Sequence, residues 1–281
     1  MAKIAVIGLV GESVFMEVER FHEGGETIHA KGIHREWGGK GFNQAVAAAR
    51  QGAEVAFLGA AADGDAAAIA AFARKEGIDP VICAKDEPSA YAAILTDAVG
   101  ETRVTVYPGA RLDVGDVASF APAIVSADIL LLNNEVPEEV NLRAAEIAEA
   151  NGVRVICNPA PARPMSDELT KRIDLFTPNE FEAEMLGEAA NVVVTLGGDG
   201  CRVKSTGRHI PAASVKEVVD TTGAGDVFNG VLATRLAEGK ELEAACAAAN
   251  RAAAFSVTRR YVMPSIPNRG SLGDDVKERQ N

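Results

Sequence analysis

Short apolar runs alternate with alanine-rich amphipathic runs along most of the chain. The first pair is "KIAVIG" and "GFNQAVAAARQG", and the series continues through "EVAFLG", "DAAAIAAFARKEG", "ADILLLN" and "EEVNLRAAEIAEANG" to "VRVICNP" and "NVVVTLG". Short continuous apolar runs are typical of strands buried on both faces, and parallel strands need helical crossovers between them. The pattern therefore predicts an α/β fold whose mainly parallel central sheet is covered by helices on both faces.

Two segments lack the amphipathic helical runs. Residues 10–37 and 90–107 each read as strand, turn and strand, the second as "AYAAILTDAVGETRVTVY". They predict antiparallel hairpins inserted into the α/β core, which together would form a small β-sheet lid. Plain surface decoration is the alternative interpretation, and the pattern does not decide between the two. We expect one domain over residues 1–267 with these lid segments inserted, followed by a polar tail at 268–281.

Composition and charge narrow the class of partner and the compartment. The chain has 281 residues with 28 basic and 40 acidic side chains, a formal net charge of −12. This charge opposes binding to nucleic acid or to an anionic membrane surface. Cys83, Cys157, Cys201 and Cys246 have neither metal-site nor disulfide spacing, which indicates a reducing compartment. No signal-peptide layout or membrane-spanning run is present in the sequence, so we expect a soluble cytoplasmic protein.

The stretch "VVDTTGAGDVFNG", from Val218 to Gly230, carries the first candidate chemistry. Apolar residues recur at helical spacing after it, so a helix is predicted to begin close to residues 224–226. Glycines there leave backbone N–H groups accessible, and the helix dipole adds positive charge, so an anion such as a phosphate fits this end. Asp226 would stand beside that anion, where its carboxylate could take a proton from an attacking hydroxyl. The alternative is that Asp226 only caps the helix.

This bend resembles the signature of the ribokinase family, the phosphofructokinase-B-type carbohydrate kinases. A second stretch, "WGGKGFNQAVAAARQGAEVAFLGAAADGD" from Trp37 to Asp65, resembles the N-terminal motif of the same family. Further matches are "GGETI", "NNEVPEE", "NPAPAR", "TPNEFEAE", "VVVTLGGDG" and "ANRAAAFSVTRRYVMPSIP", so the resemblance extends to Pro267. It implies a ribokinase-like fold and ATP-dependent phosphorylation of a hydroxymethyl group on a small sugar.

The resemblance also implies roles for residues around the transferred phosphoryl group. Asp226 would be the catalytic base, and the backbone of Gly223, Ala224 and Gly225 would form an anion hole for the developing charge. Such an arrangement suits phosphoryl transfer, which asks the protein mainly for positioning and electrostatic stabilisation. Besides Asp226, the implied sugar-binding positions are Gly11, Ser13, Gly39, Lys40, Gly41, Asn43 and Glu135.

Nucleotide and metal positions follow from the same resemblance. Asn179 and Glu182 would organise Mg²⁺ through water, although taken alone they would only compensate a helix dipole. The nucleotide ATP would lie along Asn179, Thr195, Gly197, Gly198, Gly200, Gly225 and Asn250. A monovalent cation, K⁺ in most members, would be held by Asp220, Thr222, Ser256, Arg259 and Ser265.

Three departures from the family pattern bear on this assignment. Gly11 and Ser13 stand where ribokinases carry an Asn and an Asp that grip sugar hydroxyls, and Glu12 is expected to point to the opposite face of its strand. Tyr261 stands where glycine is frequent beside the cation site. Residues 188–191 form a link too short for the additional helix that the family places there.

Other functions remain open at this point. A nucleoside or sugar-phosphate kinase of the same family is one alternative, and Lys31, His34 and Arg35 are basic lid residues that a phosphorylated acceptor could use. A catalytically weak sugar-sensing protein on the same fold is another, because the acidic clamp is missing. The exposed hairpin edges favour a homodimer formed through the lid.

Overall fold

The computed structural model of the protein describes residues 1–186 and 191–272. The strands are β1 (Lys3–Ile7), β2 (Gly11–Glu17), β3 (Gly32–Gly38), β4 (Glu54–Ala62), β5 (Ile78–Lys85), β6 (Ala90–Thr96), β7 (Thr102–Tyr107), β8 (Ile129–Asn133), β9 (Arg154–Asn158), β10 (Leu175–Phe176), β11 (Val193–Thr195), β12 (Cys201–Val203) and β13 (His209–Ile210). The helices are α1 (Lys40–Arg50), α2 (Asp63–Lys75), α3 (Val114–Ser126), α4 (Glu138–Ala150), α5 (Asp167–Thr170), α6 (Glu180–Met185), α7 (Ala224–Ala237) and α8 (Leu242–Ser256).

A six-stranded parallel sheet forms the centre of the molecule, in the order β10-β9-β8-β1-β4-β5. Successive side chains of β1 point to opposite faces: Ile4 and Val6 pack with α1, α2, α7 and α8, whereas Ala5 and Ile7 pack with α3 and α4. The sheet thus has an apolar cluster on each face, as its continuous apolar strands require. The predicted parallel sheet with helices on both faces is confirmed.

The two inserted segments form a separate four-stranded sheet, in the order β3-β2-β6-β7, which we call the lid sheet. Its two hairpins are antiparallel, as predicted, but β2 and β6 join them by parallel pairing, which the local pattern did not indicate. The register places Ser13, Phe15, His34 and Glu36 on one face, and Glu12 with its cross-strand neighbours on the other.

A third, small antiparallel sheet contains β11, β12 and β13. Single parallel bridges, Phe176 with Val192 and Asn179 with Thr195, attach it beyond β10. The sequence had indicated only a strand and a glycine-rich turn there. The short link that was expected at residues 188–191 lies, except for its last residue, outside the described residues.

The C-terminal part of the described chain packs onto the core. Arg269 forms an ion pair with Glu238, and Leu272 packs against the small apolar cluster of Ala213, Ala254 and Phe255. The expected polar tail therefore begins as packed chain, and its residues 273–281 lie outside the described part. Within the described ranges no helix has the length and hydrophobicity needed to cross a membrane.

Candidate active site

Asp226 lies in the first turn of α7 with its carboxylate held by two side chains of α1. Asn43 donates to Oδ2 at 2.8 Å and Gln44 to Oδ1 at 3.2 Å. Asp226 is 6% exposed, and this burial raises the pKa of its carboxyl, while Lys40, Asn43 and Gln44 act in the opposite direction. The N-cap residue of α7 is Gly223 and no side chain caps the helix, so the interpretation of Asp226 as a simple capping residue is wrong.

Lys40 stands among three carboxylates from different parts of the fold. The negative charge of Asp226 is the main influence that raises the pKa of Lys40, and Glu135 and Glu182 add to it against the effect of burial. Glu135 also accepts the backbone N–H of Lys40 at 2.7 Å, at the start of α1. Loss of hydration raises the pKa of Glu135 to about 7. Acids and a cation whose pKa values are perturbed together are typical of functional sites.

The glycine-rich bend forms the open end of α7. Gly223 has φ of 76°, a left-handed conformation that favours glycine, and Gly225 has free space around its Cα. The Ala224 N–H donates to the Thr221 carbonyl at 3.2 Å, so this N–H is shared with the turn. Asn229 fixes the first helical turn because its Nδ2 donates to the Gly225 carbonyl at 2.8 Å.

The expected acceptor positions on β2 are small and closely packed. A Cβ at Gly11 would lie 2.1 Å from the Ala90 carbonyl oxygen, so this backbone has no room for a side chain. Ser13 is 8% exposed, and its hydroxyl lies against Gly38, next to the start of α1. Glu12 instead pairs with Arg35 on the other face, at 2.8 Å, and therefore does not replace the missing acid.

The remaining acceptor positions lie at the junction of β3 and α1. Gly39 is the residue before the helix, and Lys40 and Gly41 form its first turn. Asn43, whose amide nitrogen holds Asp226, keeps a buried Oδ1 without a hydrogen-bond partner. A buried acceptor of this kind is costly unless a ligand or water satisfies it.

Asn179 and Glu182 form a capping box at the start of α6. The Glu182 N–H donates to Asn179 Oδ1 and the Asn179 N–H donates to Glu182 Oε2, each at 2.8 Å. One Glu182 oxygen is thereby used. Over residues 1–186 and 191–272 no three His, Cys, Asp or Glu side chains gather as a metal site. The amide and carboxylate oxygens of this pair fit a hydrated Mg²⁺, which keeps several of its waters.

The turn expected to carry the nucleotide joins β11 to β12. Thr195 is fixed by its N–H to the Pro178 carbonyl at 2.8 Å, and Gly197 and Gly198 are exposed in a short 3₁₀ turn that ends at Gly200. Asn250 is 5% exposed, and its amide donates to the Ile210 and Pro211 carbonyls at 3.0 and 3.2 Å. Asn250 therefore holds the end of β13 to α8, and it is a buried residue.

Asp220 connects the bend to the loop that follows α8. Its Oδ1 accepts the Thr222 N–H at 2.9 Å, and its Oδ2 accepts the Tyr261 N–H at 3.0 Å. The structure thus brings Asp220 to the loop that carries Arg259 and Ser265, while Ser256 is the last residue of α8. Of these, Ser256 and Ser265 turn their hydroxyls to backbone carbonyls, and Arg259 lies over the Phe255 ring.

The basic lid residues are engaged in contacts within the protein. Lys31 pairs with Glu19, and Arg35 pairs with Glu12. His34 stacks on Tyr261 with ring centroids 3.9 Å apart. Each of the three thus has a partner within the protein.

Several polar residues of the site were not singled out from the sequence. Gln44 donates to Asp226, and the same Nε2 reaches Asn158 at 3.2 Å. Thr177 donates to Asn229, which in turn holds the bend. The available signal was polarity within apolar runs, since Gln44 and Asn229 interrupt alanine- and valine-rich helices.

Comparison with known proteins places this geometry in a family. The model of the family described as pfkB family carbohydrate kinase matches residues 1–269. The chain belongs to the pfkB family. A ribokinase of Haemophilus influenzae is 35% identical over 95% of this chain and 95% of its own length. The structure of ribokinase from Thermotoga maritima has a TM-score of 0.85 at 33% identity, with 97% of this chain and 98% of that chain covered.

A third relative is the Arabidopsis thaliana ribokinase, whose structure was solved with ribose and ATP. Its TM-score is 0.84 at 28% identity, and the match covers 97% of this chain and 98% of that chain. The pfkB-family chain is accordingly an ATP-dependent sugar kinase of the ribokinase type, a phosphotransferase with an alcohol group as acceptor. The expected ribokinase-like fold and enzyme class are confirmed.

Proposed function

We propose that this kinase transfers the γ-phosphoryl group of ATP to a hydroxymethyl group of a small sugar, with Asp226 as the general base. The observation that carries the proposal is the buried Asp226 carboxylate, held by Asn43 and Gln44 at the open, glycine-rich start of α7. A carboxylate with a raised pKa at this point can accept the proton of an attacking hydroxyl, which typically contributes ~10²–10⁴ in rate.

The neighbouring residues supply orientation and charge. The backbone at Gly223, Ala224 and Gly225 holds the charge that develops on the transferred group, because the dipole of α7 points its positive end there. The positive charge of Lys40 offsets the negative charges of the three carboxylates around it, and Lys40 contacts the acceptor. Glu135 and Ser13 orient the acceptor hydroxyls, together with Asn43, Gly11, Gly39 and Gly41.

The nucleotide lies along the turn from Thr195 to Gly200, with Asn250 holding the adjacent wall. Asn179 and Glu182 would hold Mg²⁺ through water, and the metal would supply positive charge that offsets the phosphates. A monovalent cation would be held by Asp220, Thr222, Ser256, Arg259 and Ser265, and it would supply positive charge near the bend. Equal activity in sodium-only and potassium buffers would contradict a selective K⁺ role.

The proposed acceptor is a sugar without a phosphate group, with ribose as the first candidate. Two observations support it: the Arabidopsis relative was solved with ribose and ATP, and Lys31, His34 and Arg35 are engaged elsewhere. The crowded Gly11 and the serine at position 13 leave two hydroxyls of ribose without an acidic partner. We therefore expect weaker selectivity among sugars than a complete clamp would give.

The test is a screen for ADP release with pentoses, hexoses, their phosphates and nucleosides. The proposal expects turnover with a free sugar that Asp226→Asn abolishes while ATP binding persists. Turnover restricted to a nucleoside or a sugar phosphate would establish one of those alternatives. Binding of sugar without turnover of any acceptor would favour a sugar-sensing protein, and release unaffected by Asp226→Asn would exclude this base.

The lid is also the proposed surface for a homodimer. Its exposed apolar side chains include Ile33, Val104, Val106 and Tyr107, each more than half exposed. A mass measurement in solution, repeated with Val104→Lys and Val106→Lys together, tests the dimer: a monomeric wild-type protein would exclude it.

The free thiols of all four cysteines favour a cytoplasmic location.

A further inference from the structure

Tyr261 has an unusual backbone conformation. Its φ is 66°, and within the described ranges it is the one residue other than glycine with positive φ. Left-handed backbone is unfavourable for a bulky residue and persists only where the surrounding contacts impose it. The Tyr261 ring contacts the lid, and its backbone N–H is bound by Asp220.

The Tyr261 ring packs between side chains of two lid strands. It stacks on His34 with centroids 3.9 Å apart and an interplanar angle of 14°, and it meets Phe15 edge-on at 5.3 Å. Its hydroxyl donates to Glu17 at 3.2 Å, and the neighbouring Arg260 pairs with the same carboxylate. All the lid partners lie on the face that also carries Ser13.

The backbone after Tyr261 is bound to the lid by a second contact. Glu36, whose side chain is 6% exposed, accepts the Val262 N–H at 2.9 Å and the Met263 N–H at 3.3 Å. Its other oxygen lies 3.0 Å from His34 Nε2. A buried carboxylate that accepts several N–H groups is a strong and geometrically specific contact. Glu36 of lid strand β3 is thus bound to two adjacent residues of the loop, Val262 and Met263.

The same loop residues reach the glycine-rich bend. The Tyr261 N–H is bound by Asp220, which also binds the Thr222 N–H. The Val262 side chain packs against Gly223, since a Cβ at Gly223 would lie 2.6 Å from Val262 Cγ1. Tyr261 and Val262 therefore contact the lid on one side and the start of α7 on the other.

We propose that Tyr261, supported by Glu36, is a positioning residue that couples closure of the lid over the acceptor to the arrangement of the glycine-rich bend. When the lid is closed, the stack on His34 holds Tyr261 in its left-handed conformation and keeps its N–H on Asp220. When the lid lifts, Tyr261 is released and the bend loses this contact. The inference rests on the proposed role of residues 223–225 and adds a link that makes the bend depend on a closed lid.

The decisive variant is Tyr261→Gly, because glycine adopts this backbone without strain and only the side-chain contacts are lost. Tyr261→Phe is the conservative variant that keeps both ring contacts, and Glu36→Gln weakens the second contact. Glu12→Gln is the matched control, because it breaks an ion pair between the same two strands on the opposite face of the lid.

Two measurements separate coupling from general loosening. The first is hydrogen–deuterium exchange of the free protein, in which Tyr261→Gly should raise exchange both in β3 and in residues 219–226 but not in β9. The second uses ribose and ATP: the KM for ribose should rise about tenfold, as expected for two lost aromatic contacts, with the KM for ATP little changed. Tyr261→Phe and Glu12→Gln should remain close to wild type in both.

Faster exchange in β3 alone would show that Tyr261 only holds the lid, and would overturn the coupling. An unchanged KM for ribose in Tyr261→Gly would overturn it as well. The exchange measurement needs no substrate, so it decides the coupling even if ribose is not the acceptor. Conversely, an active Asp226→Asn variant would refute the proposed base and leave the exchange result unaffected.

Discussion

Replacing Gly230 by alanine is expected to push α1 and α7 apart. A Cβ at this position would lie 2.4 Å from the Gln44 carbonyl oxygen, 2.7 Å from Ala47 Cβ and 2.9 Å from the Ala48 nitrogen. Two of these atoms belong to the backbone of α1, so no side-chain rotation relieves the contact. Since ordinary contact distances are ~3.5–4.0 Å, the helices must separate by roughly 1 Å.

The size of the effect follows from two opposing contributions. Overpacking costs up to ~3 kcal/mol, and we take the upper end because backbone is involved. Alanine in place of glycine within a helix returns about 1 kcal/mol. The net loss in the free energy of unfolding is then about 2 kcal/mol, which corresponds to a decrease in Tm of roughly 4–8 °C.

The same displacement separates Asp226 on α7 from Asn43 and Gln44 on α1. A misplacement of about 1 Å in a catalytic group can cost ~10²-fold in rate, so kcat should fall along with Tm. Thermal unfolding and kcat are measured beside Gly64→Ala, a helical glycine of α2 with no atom within 4 Å of its added Cβ. If Gly230→Ala proved as stable and as active as Gly64→Ala, the close packing at Gly230 would not position the site.

Two further predictions concern the charge and the space around Asp226. The pKa of Glu135 is about 7 in the folded protein against an ordinary 4.5, so the neutral carboxyl contributes stability that is fully present below about pH 4.5 and is lost as the pH rises through about 7. The stability of wild type relative to Glu135→Gln should accordingly decrease between about pH 5 and pH 8 in urea unfolding, and parallel pH profiles would contradict this. Gly225→Ala should leave the free energy of unfolding unreduced, because its Cβ meets no atom within 4 Å, yet lower kcat by about tenfold or more because the methyl group enters the proposed anion hole. Full activity in Gly225→Ala would place the phosphoryl group elsewhere.

The central sheet could be predicted from the sequence because its strands are continuous apolar runs separated by amphipathic helices. The order of the strands could not be predicted, because the apolar runs of β1, β8 and β9 are chemically alike. Nothing in these runs indicates which strands pair. The lid hairpins were visible as local patterns. Their parallel junction between β2 and β6 was not, since it joins segments that are distant in sequence.

For the candidate site, the start of α7 was predictable because glycines precede a helical apolar pattern. Gln44, Asn158, Thr177 and Asn229 were missed, because a polar residue within a helix or at a strand end looks the same in sequence whether it is exposed or buried against a partner. The left-handed conformation of Tyr261 depends on contacts with the lid, which no local pattern encodes.

The parallel pairing of β2 with β6 has a consequence for the order of folding. Gly11 pairs with Ala90, so β3, α1, β4, α2 and β5 all lie between the two paired strands. A contact of such long sequence separation forms late, after the intervening segments have collapsed, because closing a long loop is entropically unfavourable. The lid sheet should therefore form after β4 and β5 have joined β1, because those pairings span shorter stretches of the chain. During synthesis, β1, β4 and β5 would all have been made before β6, so they could pair before the lid sheet is complete.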